Sequence, residues 1–159
     1  LAFLANLYND KKYFGLDWTE SSQKIIALIS EHYEWDITGY RFDFFKPNSE
    51  FTILPNSGIF TLHALEQLGK KYKLFVDYLL EKKPRICINI ECLNELYDEN
   101  SEFDNIALKF HHSRNYLNNY LSYLKKLESE KKIRILKIKK INFGSLHHDG
   151  YSILVWEII

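Results

Sequence analysis

The 159 residues are 46% hydrophobic and 16% aromatic, and 21 Lys and Arg balance 21 Asp and Glu, so the formal charge is zero. Such a chain holds ample apolar material for one packed domain or two small ones, and a folded, soluble protein is expected. The longest apolar runs, at 25–29 and 153–156, fall far short of the roughly 20 residues that span a bilayer, which excludes a helical membrane segment.

Residues 1–7 are apolar, lack a basic flank and are too short for a signal peptide. An intracellular protein is expected, cytoplasmic or nucleoid-associated. Met is absent even from position 1, as in a trimmed product or a domain cut from a longer chain. Residues 17–22 offer several helix N-caps, and Ile25, Leu28, Ile29 and His32 then share a helical face, which predicts a helix of about 15 residues. Tyr40, Phe42 and Phe44 alternate with Arg41 and Asp43 as in a strand, with 51–54 its expected partner across the Pro47-Asn48-Ser49 turn. After the Pro55-Asn56-Ser57-Gly58 loop signal, Leu62, Leu65, Leu68, Tyr72, Phe75, Val76 and Leu79 trace a helical stripe that Pro84 ends.

Ile86, Ile88, Ile90 and Cys92 alternate, predicting a strand that leads into a short helix. Cys87 and Cys92 match no metal or redox spacing and read as two buried thiols. Ser101 caps a further helix with Asp104 at the capping-box position and Phe103, Ile106, Ala107 and Phe110 as its apolar face. Beyond Ser113, Leu117, Tyr120, Leu121, Leu124 and Leu127 continue at helical spacing to Lys132. Two β-rich runs, 133–143 and 151–158, close the chain around a turn at 144–150.

Ten of the 21 Lys and Arg lie between Lys109 and Lys140, opposed there only by Glu128 and Glu130. Local charge of that density suits a polyanion. A helix-turn-helix holds its second helix in the DNA major groove, with an Ala where the helices pack and a polar N-cap opening the second. Ile106-Ala107-Leu108-Lys109-Phe110-His111-His112-Ser113-Arg114 resembles the second helix, turn and recognition-helix start of the winged helix-turn-helix family. Leu124-Lys125-Lys126-Leu127-Glu128-Ser129-Glu130-Lys131-Lys132-Ile133, before a two-stranded hairpin, resembles that family's tail, so the likeness covers about residues 86–158.

The resemblance implies an α+β protein: a small mixed α/β part at 1–83, for packing, dimerisation or partner binding, and a winged helix-turn-helix with a two-stranded wing at 84–159. It implies a DNA-binding protein, either a transcription regulator or the DNA-binding part of a replication or mobile-element protein, with double-stranded DNA as partner and no cofactor. Ser113 would open the recognition helix, and Arg114, Asn115, Asn118 and Asn119 would read base edges, since Arg pairs with guanine and Asn with adenine. Tyr116 would meet a phosphate or stack on a base. Lys125, Lys126, Lys137, Lys139 and Lys140 would meet backbone phosphate, and His147 and His148 would stand at the wing tip.

Two alternatives remain open at this point. One is a protein-interaction winged helix whose partner surface is Tyr116, Tyr120 and Tyr123. The other is a metal-dependent phosphodiesterase or nuclease using Asp43, His147, His148 and Asp149. Adjacent His111 and His112 diverge by about 100° on a helix and could not share one ion, so no metal site is expected. Catalytic constellations are scarce: Glu66 and Glu91 lie in contexts unsuited to a nuclease metal, and no Gly-rich phosphate loop is present.

Overall fold

Two parallel strand pairs organise the chain, one in each of the units Leu1–Asn48 and Ser49–Ile159. The computed structural model describes residues 1–47, 51–141 and 150–159.

In the first unit, α1 (Ala2–Leu7) precedes β1 (Tyr13–Asp17), α2 (Glu20–Tyr33) and β2 (Ile37–Arg41). β1 and β2 are parallel, in register from Tyr13 opposite Ile37 to Asp17 opposite Arg41. Parallel neighbours need a crossover between them, and α2 supplies it. Thr19 starts that helix by accepting the Ser22 amide on its hydroxyl at 3.4 Å, and Glu34, left-handed at φ 55°, ends it. At Gly39 of β2 an added Cβ would stand 3.0 Å from the Cα of Gln23, so α2 lies close on the strand. The strand expected around Tyr40 to Phe44 is centred earlier and its partner is β1; residues 51–54 form no strand. The Asp43 carboxylate accepts the Phe45 amide at 2.8 Å, which turns the chain where the alternation suggested extension.

In the second unit, β3 (Gly58–Leu62) leads through a 3-10 turn (Glu66–Leu68) to α3 (Lys73–Lys82) and β4 (Ile86–Glu91). A second 3-10 turn (Asn94–Leu96), α4 (Glu102–Ser113), α5 (Tyr120–Ser129), β5 (Ile133–Lys140) and β6 (Ser152–Ile158) follow. The sheet order is β3-β4-β6-β5, with β3 and β4 parallel and the other two pairings antiparallel. Its core collects Phe75, Val76 and Leu79 of α3, Leu121, Leu124 and Leu127 of α5, and Leu154 and Trp156 of β6. Buried Asn89 of β4 binds this core together: it donates to the Thr61 hydroxyl at 2.9 Å and accepts from the Tyr120 hydroxyl at 3.0 Å and the Trp156 indole at 2.8 Å. With both its amide oxygen and its amide nitrogen bonded, it avoids the roughly 1–3 kcal/mol cost of an orphaned buried amide.

The stripe from Leu62 to Leu79 is not one helix. Leu62 belongs to β3, and Gly69, at φ 57°, stands where a Cβ would come within 2.8 Å of the Asn115 amide nitrogen. The boundary expected after residue 83 lies inside the second unit, because β3 and β4 pair across it. The architecture is mixed α/β, and the described residues do not form the C-terminal winged helix-turn-helix that was expected. β6 is bonded to β4 on one side and β5 on the other, so these strands complete a four-stranded sheet where a free wing was expected. α4 runs through residues 111–113, where a turn was expected, because its buried face is Asp104, Ala107 and His111. Phe103, Ile106 and Phe110, the expected inward face, are 43%, 58% and 44% exposed. Among the described residues no helix is long and apolar enough to cross a membrane.

Candidate active-site edges

Parallel strands deliver their carboxyl ends to one edge, where open α/β folds bind ligands. In the second unit this edge follows β3 and β4. His63, the residue after β3, is left-handed at φ 53°, a conformation that costs a non-glycine residue about 1–3 kcal/mol and persists only where neighbours impose it. Here they do. The His63 amide donates to the Ile90 carbonyl at 3.2 Å and the Ala64 amide to Oε1 of Glu91 at 3.2 Å. The His63 Nδ1 stands 3.3 Å from Oε2 of Glu66, and its ring meets Tyr151 edge-on with centroids 3.7 Å apart. The Cys92 Sγ lies 3.9 Å from the same Glu66 oxygen.

Glu66 and Glu91 are both buried, Glu91 completely. Burial pushes the Glu91 carboxyl up to about 7, against the pull of the Thr61 hydroxyl and the Leu65 and Ala64 amides, and the nearby Glu66 adds to the rise. Its Oε2 finds no hydrogen-bond partner among the described residues. A carboxyl so placed exchanges its proton near neutrality, as acid or base catalysis requires.

The first unit presents a different edge. Asp17 ends β1, and its Oδ1 accepts both the amide and the hydroxyl of Thr19 at 2.8 Å. Burial acts to raise the Asp17 pKa, but these bonds, with those of Ser22 and the Trp18 amide, outweigh it and hold the group below its ordinary value. Gln23 of α2 donates to the Asp17 carbonyl at 3.0 Å and the Tyr40 carbonyl at 3.1 Å, tying the ends of both strands to the helix. Trp18, next in the chain, is 72% exposed.

The residues expected to bind nucleic acid lie elsewhere and do not form one helix entrance. Ser113 is the last residue of α4, its hydroxyl donating back to the Phe110 carbonyl at 2.8 Å. Arg114 stacks over the Phe110 ring at 5.5 Å. Asn115, Tyr116, Asn118 and Asn119 belong to the connection between α4 and α5; Asn115 crowds Gly69, and the Asn118 amide donates to the Gly69 carbonyl at 3.2 Å. Lys125 and Lys126 are exposed on α5, Lys126 being 3.9 Å from Glu130. Lys137 and Lys139 are exposed on the outer strand β5, where lysine discourages edge pairing. Lys140 is turned inward, paired with Asp104 and 4.1 Å from the Tyr97 ring centroid.

The alternatives fare similarly. Tyr120 is fully buried with its hydroxyl on Asn89, so it offers no partner surface. Asp43 is spent on its own turn, and His147, His148 and Asp149 lie outside the described residues. Among the described residues no three His, Cys, Asp or Glu side chains are grouped to hold a metal ion.

Sequence reasoning missed Asp17 at the strand edge of the first unit and, separately, the grouping of His63, Glu66 and Glu91 in the second. The available signal was an acid closing an apolar strand: Phe14-Gly15-Leu16-Asp17 before a helix cap, and Ile88-Asn89-Ile90-Glu91 before a turn.

No family model matches the chain, and no curated protein does either. Solved structures do. A chain described as a pericyclic reaction enzyme superposes with a TM-score of 0.59 at 5% identity, over 99% of this chain and 39% of that one. The methyltransferase domain of bacterial CtHen1-C superposes with a TM-score of 0.54 at 12% identity, over 99% of this chain and 94% of that domain. At such identities the likeness is one of fold. It corrects the DNA-binding expectation, and with it the reading as a winged-helix transcription regulator, since the similar architectures are enzymes.

Proposed function

We propose that this chain is an enzyme domain of methyltransferase type, with Asp17 receiving the ribose of a nucleoside cofactor. The observation that carries the reading is Asp17: an ionised carboxylate at the carboxyl end of β1, just before the crossover helix, with both Thr19 bonds on one oxygen. A carboxylate accepts at about four lone-pair positions, which suits the two hydroxyls of a ribose. Bound there, S-adenosylmethionine would supply an electrophilic methyl group. The protein's part is to fix the sugar through Asp17 and to keep Asp17 in place through Thr19 and Gln23. An intracellular setting fits this reading, since Cys87 and Cys92 are buried and form no disulfide.

The test is calorimetric titration with S-adenosylhomocysteine. Saturable binding, weakened about tenfold or more by Asp17→Ala, is the expected result for the loss of a charged hydrogen-bond acceptor. Absence of binding at millimolar ligand would overturn the reading.

A further inference from the structure

We infer that the outward face of α4 is a docking surface for a second copy of this chain, the two α4 helices packing antiparallel about a two-fold axis. The inference is independent of the cofactor reading and uses only residues of the unit Ser49–Ile159.

The aromatic stripe of α4 faces away from the core. Asp104, Ala107 and His111 are its buried residues, Asp104 paired with Lys140 and His111 bonded to Asn94 through Nδ1 at 2.7 Å. Phe103, Ile106 and Phe110 stand on the other side, and Ile106 in the middle is the most exposed of the three at 58%. Steps of three and four residues set them in one narrow seam, the pattern along which two helices pack. Arg114 over the Phe110 ring and Tyr116 edge-on to it, with centroids 5.9 Å apart, extend the seam past the end of the helix. Removing such a surface from water drives association.

The charges beside the seam select what covers it. Glu102 and Lys109, one heptad apart, lie on the same flank, and both are exposed without an ion-pair partner among the described residues. The polarity continues along the helix. Asp98, Glu99 and Glu102 are the exposed acids at its start, and Lys109, His112 and Arg114 are the exposed basic residues at its end. A partner of one charge sign would match one end and be repelled by the other. A second copy lying parallel would set acid beside acid. Turned antiparallel, it sets Glu102 of each copy against Lys109 of the other, so the two-fold axis makes the attraction twice while Ile106 meets its counterpart near the centre.

Sedimentation of the full chain from about 10 µM to about 1 mM tests the proposal. A concentration-dependent monomer–dimer equilibrium is expected, with the dissociation constant raised about 100-fold or more by Ile106→Glu. That side chain is more than half exposed in the single chain, so the variant should keep the far-UV circular dichroism of the wild type. Glu102→Lys and Lys109→Glu should each weaken association about tenfold by setting like charges opposite one another, and the chain carrying both should recover it, because the two positions meet only across the axis. A monomer over the whole range would overturn the proposal and leave the seam to a different occupant. A dimer indifferent to Ile106→Glu, or a double variant as weak as the single ones, would overturn it equally.

Discussion

In the unit Leu1–Asn48 the buried apolar side chains among the described residues are Ala5, Ile37 and Phe42, whereas in Ser49–Ile159 they run from Leu65 and Tyr72 through Leu124 to Trp156. The first unit leaves Phe3, Tyr8, Trp18, Ile25 and Leu28 exposed; the second closes its core around Asn89. The contrast extends to the carboxylates at the strand ends. Asp17 is partly exposed and hydrogen-bonded, so it stays charged and suits a fixed anionic contact. Glu91 is buried with one oxygen unpartnered, so it is poised to gain or lose a proton. An acid at the carboxyl end of a parallel strand is thus held charged in one unit and near its titration point in the other, and burial decides which.

Separating the units gives the largest expected effect. Residues 49–159 expressed alone should unfold cooperatively in urea, followed by far-UV circular dichroism, while residues 1–48 alone should show no transition, because so small a unit lacks the buried surface to offset chain entropy. A cooperative transition in the short piece would erase the contrast.

A smaller effect comes from pH. Because the folded state raises the Glu91 pKa from 4.5 to about 7, the acid's contribution to stability is complete below 4.5 and is lost as pH climbs through about 7. Glu91→Gln should remove that falling limb and leave the variant about 1–3 kcal/mol more stable relative to wild type at alkaline pH than at acid pH, measured by denaturant titration. Buried His111 contributes the opposite limb. Burial, then the neighbouring His112, lowers its pKa from 6.5 to about 4, so its contribution is complete above 6.5 and is lost as pH falls toward 4. A Glu91→Gln profile parallel to that of wild type would show that Glu91 is no more poised than Asp17.

The smallest effect concerns the fixed anion. Thr19→Ala should cost about 1 kcal/mol through the lost helix cap and raise the Asp17 pKa toward its ordinary value, read by carboxyl 13C titration. Asp17 titrating unchanged would mean that Thr19 does not hold it.

Much of the second unit was legible because its signals are local. The Ser101 cap, the β-rich closing runs and the alternation at 86–91 correspond to α4, to β5 and β6, and to β4. What misled was the choice of face. Ile86, Ile88 and Ile90 carry the apolar pattern, yet the completely buried positions of β4 are Cys87, Asn89 and Glu91. On α4 the aromatic stripe is exposed while Asp104 and His111 are buried. A buried polar face has no hydrophobic period, because its partners come from distant segments: Thr61, Tyr120 and Trp156 for Asn89, and Asn94 for His111. The basic run likewise mixed neighbours in sequence that are not neighbours in role, Lys137 being exposed on an edge strand and Lys140 paired inward.

The sequence by itself determined that a folded chain of mixed helices and strands would form and where several of them begin, since caps, prolines and alternation act within a few residues. Only the tertiary structure decided that 133–158 completes a sheet, that β1 pairs with β2, and that His63, Glu66 and Glu91 meet at one strand edge. Strand order and burial depend on contacts between distant segments, and these also set the charge and proton affinity of Asp17 and Glu91.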